Sequence, residues 1–485
     1  MESQSDVPLL PKLPQPPAEK RGGGKIIQGH LAREVWEESK KLGEVVGPAV
    51  FMNLVFSSMN LVSQSFAGHL GDLDLAAFSI ANTVVDGFNF AMLLGMASAT
   101  ETLCGQAYGA KQYHMLGIYL QRSWLVLLAF AALLAPVYVF SGQLLAAFGQ
   151  PAELSRAAGS VSMYFLPSHF MYAVHLPVMT FLQCQRKNWV PAVATAVVLA
   201  VHVAATWLLV NYLGLGIFGV AMAFNLSWVV LAALLLSYAL GGGCPETWSG
   251  FSASAFVDLK EFVTLSASSG VMVCLENWYY RILIFLTAYM KSADLAVDAL
   301  SICMSLTGWE MMIHMGFLEG TGVRVANELG AANGNGARFA TIVSTATSFL
   351  ISLFASFLAL IFHNKLAMIF LSSGAVIDAV DNISVLLALT ILLNGIQPVL
   401  SGVAIGSGWQ ALVAYVNVGS YYLIGVPLGV LLGWRFNYGV PGIWAGMISG
   451  TTMQTLFLAL ITLRCDWNKE ALKAGNRVRQ WSSTN

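Results

Sequence analysis

Apolar stretches long enough to cross a bilayer recur along nearly the whole chain, separated by short clusters of Gly, Pro, Asn and Gln. A bilayer core is about 30 Å thick, so a helix needs roughly 20 apolar residues to span it. Composition agrees with that reading: 57% of residues are hydrophobic and 10% are charged, against about 25% charged in a soluble domain. The fold class expected is therefore all-α and polytopic in the membrane. A net charge of −1 offers no basic face for nucleic acid.

About twelve spans are expected, at roughly 43–66, 75–103, 118–142, 157–180, 190–212, 217–240, 262–289, 295–322, 338–362, 380–403, 410–433 and 440–463. Residues 1–40 are polar and carry Pro8, Pro11, Pro14, Pro16 and Pro17, which reads as a disordered arm. The Leu9–Leu10 pair after Asp6 faintly resembles a sorting signal. Residues 41–240 form an amino-terminal six-helix lobe, 241–260 a linker, 261–464 a carboxyl-terminal six-helix lobe and 465–485 a tail. Lys and Arg concentrate in one set of short loops, at Lys111, Arg186, Lys187, Lys260, Arg324 and Arg338, and in the tail. The opposite loops hold Arg156, Lys291, Lys365 and Arg435. By the positive-inside rule both termini then face the cytosol.

The halves repeat. GMASATETLCGQAYGA, residues 95–110, aligns with GFLEGTGVRVANELGA, residues 316–331, at an offset of 221 residues, and Pro177 meets Pro398 at that offset. Gly216-x-x-Gly219 mirrors Gly439-x-x-Gly442. Six spans per repeat keep both halves in one orientation, related by a pseudo-twofold axis along the membrane normal, with solute bound between them.

Glu276 lies near the middle of the seventh span, within 266–286. A charged side chain there costs about 2.5–3.5 kcal/mol on insertion scales and marks a functional position. Withdrawal from water makes a carboxyl hold its proton more tightly, so Glu276 is the expected proton-coupling group; a static pair with Arg281 is the alternative. Tyr280 lies at i+4 on its face and Asn277 beside it. In the tenth span Asn394, Gln397 and Ser401 recur at i, i+3 and i+7, a polar stripe suited to a cavity wall or to holding helices together. Pro398 within that span, and Pro177 in the fourth, are expected to kink their helices and serve gating. Glu310 and Glu319 in the eighth span and Asp86 and Glu101 in the second can line a water-filled path or pair with neighbours. His169, His175 and His314 read as helix contacts. Trp278, Tyr279, Tyr280 and Trp309 can stack on an aromatic solute or merely pack.

The six cysteines, Cys104, Cys184, Cys244, Cys274, Cys303 and Cys465, form no C-x-x-C and read as small buried thiols. No P-loop, G-x-S-x-G or H-E-x-x-H is present. The chain is not expected to be an enzyme or to hold a cofactor or metal; transport then draws on an ion gradient or on diffusion.

SQSFAGHLGDLDLAAFSI, ETLCGQAYGAKQ, CLENWYYRILI, GTGVRVANELGA and QPVLSGVAIGSGWQ, in this order over residues 40–465, resemble the plant multidrug and toxic compound extrusion (MATE) family. The resemblance implies a two-lobed, twelve-helix antiporter expelling organic solutes against H⁺ or Na⁺. It matches Glu276 to the family's seventh-helix acid and so to proton coupling. Where many plant members place an Asp in the tenth helix, this chain has Asn394, which cannot titrate and is expected only to hydrogen-bond Glu276. Ser63 stands where bacterial members often carry a first-helix Asp, so no amino-lobe cation site is expected. The Asn variant is similar to vacuolar proton/flavonoid antiporters of the transparent-testa type.

The function expected is proton-coupled antiport of flavonoid glycosides, alkaloids or xenobiotics out of the cytosol by a monomer in the vacuolar membrane, with H⁺ as the coupling ion. A passive chloride channel on the same scaffold is the alternative. A lipid-linked flippase and a multi-span enzyme are weaker rivals.

Overall fold

The computed structural model describes residues 24–257, 259–288, 294–370 and 374–482. It is helical throughout, with no strand among the described residues. The spans are α1 (Gly24–Leu70), α2 (Asp72–Gly109), α3 (Tyr113–Val139), α4 (Ala152–Tyr164 continued by Leu166–Cys184), α5 (Trp189–Tyr212) and α6 (Gly216–Gly243). After the linker come α7 (Leu259–Ala288), α8 (Asp294–Gly330), α9 (Gly334–Phe370), α10 (Gly374–Asn394 continued by Gln397–Ser407), α11 (Gln410–Arg435) and α12 (Gly439–Leu463). A final helix, α13, covers Trp467–Ser482.

Nine of these spans are long and apolar enough to cross a membrane by length and composition alone. Those outside that set are α4, which is broken at Phe165, and α7 and α8, which carry Glu276 and Arg281 or Glu310, His314, Glu319 and Arg324. Helices so rich in polar groups are affordable only where protein or a water-filled cavity, not lipid, surrounds those groups. The outer faces are the reverse: α9 exposes Leu350, Phe354, Phe357 and Ile361 in a single helical stripe, as a lipid-facing surface does.

Helices α1–α6 and α7–α12 form two lobes, each with its own apolar core. The repeated segments found in the sequence meet at the seam between them. Gly105 packs against Ala326, its counterpart 221 residues on. A Cβ at Gly109 would strike the Asn327 carbonyl, and one at Gly330 would strike that of Gln106. Because 106 and 327 correspond, as do 109 and 330, the two contacts are one contact seen twice. The turns that follow agree: Lys111 and Ala332, also 221 apart, both adopt left-handed conformations with φ of 58° and 57°. Thr102 Oγ1 donates to the Ile405 carbonyl at 2.5 Å and Gln106 Nε2 to the Gly406 carbonyl at 3.1 Å, locking the lobes together where α2 meets the end of α10.

Three expectations need correction. The arm expected over 1–40 is helical from Gly24 onward. Glu38 is buried there because Arg324 of α8 donates to its Oε1 from both Nε (2.9 Å) and Nη2 (2.7 Å). The Leu9–Leu10 pair, the prolines and Lys291 lie outside the described residues. The tail is not a plain extension: Trp467, Ala471, Ala474 and Val478, on one helical face, are buried in α13. Arg477 Nη1 there donates to Gln106 Oε1 at 3.0 Å. Finally, the two prolines differ. α10 breaks at Gly395–Ile396, immediately before Pro398, whereas Pro177 sits inside the unbroken helix Leu166–Cys184. The break in α4 falls instead at Phe165, two residues before Pro167.

Candidate transport cavity

Between the lobes lies a cavity of about 360 Å³, walled by α2 and α4 from one lobe and by α7, α8, α10 and α12 from the other. That volume is within the usual range for small-molecule sites, about 300–1,000 Å³. Met179, Met272, Met304, Met311, Met315 and Met447 supply much of the wall, and flexible thioethers let one surface fit several apolar shapes. Three carboxyls, Glu101, Glu276 and Glu319, line it, and no Lys, Arg or His does.

Glu276 projects from α7 into this space, partly exposed to the cavity. Gln397 Nε2 donates to its Oε1 at 2.8 Å and also approaches Ser401 Oγ at 3.2 Å. Ser401 also lines the cavity. Arg281 is not its partner: the guanidinium lies against Gly87 of α2. Tyr280 lines the cavity too, but its hydroxyl meets Thr451 Oγ1 at 3.4 Å and no hydrogen bond joins it to Glu276. Asn277 faces the cavity with its amide on the Val273 carbonyl at 3.1 Å.

Asn394 corrects the sequence reading. Its Nδ2 donates to Glu310 Oε2 at 2.9 Å, not to Glu276. The break at Gly395–Ile396 divides the expected stripe, so Asn394 and Gln397 no longer share a helical face. Glu310 is enclosed behind Asn394, where His314 Nε2 lies 2.5 Å from its Oε1 and Ser352 Oγ is 3.4 Å away. His314 is held in turn by Ser348 at 2.8 Å. Glu310 therefore does not face solute.

The aromatic cluster is also sorted. Tyr279 is fully buried, stacked on Tyr421 at 4.2 Å and donating to the Met447 carbonyl at 2.9 Å. Trp309 is 49% exposed on the outside, and Trp278 meets Phe88 of α2 edge-on. Only Tyr280 of the four lines the cavity.

In the amino lobe Asp86 is buried, and each oxygen accepts one phenol: Tyr138 Oη to Oδ1 at 2.8 Å and Tyr172 Oη to Oδ2 at 2.9 Å. Ser63 is buried against His202 Nε2 at 3.1 Å, whose Nδ1 meets Ser227 at 2.9 Å. Glu101 and Glu319 line the cavity from opposite lobes, which neither residue's own helix predicts. A signal was present: at the repeat offset Glu101 corresponds to Gly322, a residue without a side chain to fill the same place.

A family model described as MatE matches the chain twice, over residues 48–208 and 269–431. The two matches start 221 residues apart, the offset of the internal repeat. Protein DETOXIFICATION 27 of Arabidopsis thaliana is 56% identical over 483 residues, covering 99% of this chain and 98% of that protein. Protein DETOXIFICATION 26 of the same plant is 52% identical over 96% of this chain and 94% of its own length. The crystal structure of the eukaryotic MATE transporter AtDTX14 superposes with a TM-score of 0.86 at 32% identity, over 92% of this chain and 99% of that one. An outward-facing multidrug resistance MATE transporter of the MOP superfamily shares the fold at 16% identity, with a TM-score of 0.77 over 92% of this chain and 96% of that one.

Proposed function

Because the chain belongs to the MatE family of multidrug and toxic compound extrusion transporters, we propose that it is a proton-coupled antiporter for neutral and cationic organic solutes, with Glu276 carrying the coupling proton. The observation that carries the reading is the placement of Glu276: a carboxyl in the wall of the interlobe cavity, hydrogen-bonded through one oxygen to Gln397. A group so placed exchanges its proton with water in the cavity. When protonated it presents a neutral wall; when ionised it attracts a solute's positive charge. Proton and solute thus compete for one space, and each displaces the other.

The lining also bears on what is carried. Three carboxyls with no basic side chain favour cationic or neutral solutes, such as alkaloids and neutral glycosides, and oppose chloride or a polycarboxylate. The alternative of a passive anion channel is therefore the weaker reading. Gln397 positions Glu276, Ser401, Tyr280 and Asn277 give the cavity its other polar contacts, and Asn394 supports the wall by holding Glu310. Under the positive-inside reading, the end where α2 and α8 interlock faces the cytosol. A monomer then moves solute from the cytosol to an acidic compartment, the vacuole lumen by the family resemblance.

The test uses purified full chain in liposomes under an imposed pH gradient, following an organic cation, a neutral flavonoid glucoside and chloride. Gradient-driven uptake of the organic solutes, lost in Glu276→Gln, supports the reading. Chloride flux indifferent to the gradient and to that substitution contradicts it.

A further inference from the structure

Glu101 of α2 and Glu319 of α8 come from opposite lobes and have no family role in the reading above. Their geometry is tight. Glu101 is 7% exposed. Its Oε1 lies against Gly322 of α8, in the space a Cβ there would fill, and this buried oxygen has no hydrogen-bond partner. Gly322 is one turn from Glu319 on the same face of α8, and both carboxyls line the interlobe cavity. Glu319 crosses the seam the other way, its Oε2 accepting from Gln183 Nε2 of α4 at 2.9 Å, with Asn53 of α1 beside it.

The surrounding charges are engaged elsewhere. On α1, Glu44 pairs with Arg186 and Glu38 with Arg324. On α3, Arg122 donates to the Ser254 carbonyl. On α4, His175 has Nδ1 on the Met171 carbonyl, and the Cys184 thiol meets the Glu101 carbonyl. On α8, His314 meets Glu310 and Arg324 meets Glu328. Arg477 of α13 donates to Gln106. The α10 segment Gln397–Ser407 contributes no titratable group. Glu276 of α7 shares the cavity and is itself an acid. Among the described residues, no cation forms an ion pair with Glu101 or Glu319.

We propose that Glu101 and Glu319 are a second proton-binding site, a pair of carboxyls from opposite lobes whose seam closes while the pair holds one proton. Two carboxylates lining one cavity wall with no cation among them repel when both are ionised, and a proton on one of them relieves that repulsion. A proton on Glu101 removes the charge from a buried oxygen that no donor reaches. The step balances as COOH plus COO⁻ across the seam going to two COO⁻ in separated lobes plus one H⁺ released to water. The proposal stands whether or not Glu276 carries the coupling proton.

The test places spin labels on His114→Cys and Asn335→Cys, corresponding positions in the turns where α2 and α8 end, in full-length protein in nanodiscs with Cys274 and Cys465 changed to Ser. Distance distributions are recorded from about pH 5 to about pH 8, spanning the acidic and neutral sides of the membrane gradient. The expected result is a short distance at low pH and a separated population that grows by up to about tenfold per pH unit, the limit for one proton. Glu319→Gln and Glu101→Gln, each isosteric, should hold the short distance at every pH, while Asp86→Asn, capped by two phenols away from the cavity, keeps the wild-type response. Three results overturn the proposal: a wild-type distribution unchanged by pH, a full wild-type response in both seam variants, or a response driven by Na⁺ at fixed pH.

Discussion

Each lobe buries an acid in its helical core, and the two are treated in opposite ways. Asp86 has both oxygens capped by phenols, Tyr138 and Tyr172, and is closed away from the cavity. Glu276 is held through one oxygen by Gln397 and opens onto the cavity. The helices beside them differ in the same sense. α4 runs unbroken through Pro177, while α10 breaks just before Pro398. One duplicated scaffold thus holds a fully capped acid in one half and an acid open to the cavity in the other, and the difference lies in whether polar groups are fully satisfied. A saturated buried network fixes a structure; an acid with spare capacity facing water can change state.

The largest expected effect separates the two acids by transport. Glu276→Gln should lower gradient-driven uptake at least tenfold, a change of about 1.4 kcal/mol or more, measured as initial rates in liposomes. Asp86→Asn should leave those rates within about twofold, roughly 0.4 kcal/mol. It should instead lower thermal stability, since an amide in place of the carboxylate cannot accept from both phenols. The lost hydrogen bond leaves a buried phenol unpaired at a cost of about 1–3 kcal/mol, read as a drop in Tm. Equal loss of transport in both variants would erase the contrast.

Next in size is Asn394→Ala. It strips a donor from the enclosed Glu310, leaving a buried oxygen unpaired at a cost of about 1–3 kcal/mol. Tm should fall and transport should slow several-fold, while its dependence on the gradient persists; loss of coupling alone, at unchanged Tm, would place Asn394 in the proton path instead.

The smallest effect compares the prolines. Pro398→Ala should slow transport by about threefold, near 0.7 kcal/mol, because the irregular turn it follows is the part of α10 that moves. Pro177→Ala, inside a continuous helix, should change the rate by less than about twofold. Initial-rate measurements on the pair decide this, and the reverse ranking would remove α10 as the moving element.

Most of the fold was legible. Apolar length and breakers located the twelve spans to within a few residues, with the longer helices α1, α8 and α9 running past the expected ends. The Gly and Pro offsets exposed the repeat, whose meaning became visible as Gly105 against Ala326. α13 was missed as an element although Trp467, Ala471, Ala474 and Val478 carry its helical period, because the many charges around them read as a plain tail. Within the site, Glu276 stood out because a lone acid in an apolar run has no cheap explanation. Partnerships were harder to read. The resemblance pairs Asn394 with Glu276, but its amide donates to Glu310, and the break at Gly395–Ile396 divides the expected Asn394, Gln397 and Ser401 stripe. Trp309 and Tyr279 were indistinguishable from cavity residues, since a sequence gives a helix's period but not which neighbour each face meets. The seam pair Glu101 and Glu319 depends on how two lobes dock, which no single helix encodes.

The most direct test of the central claim sets a solute gradient against no pH gradient. Liposomes preloaded with an organic cation are diluted into lightly buffered medium, and proton movement is followed with a pH dye. Wild type and Asp86→Asn should both take up protons as solute leaves, and Glu276→Gln should show none above protein-free liposomes. Solute-driven proton movement that survives in Glu276→Gln would contradict the account and assign the exchange to another group.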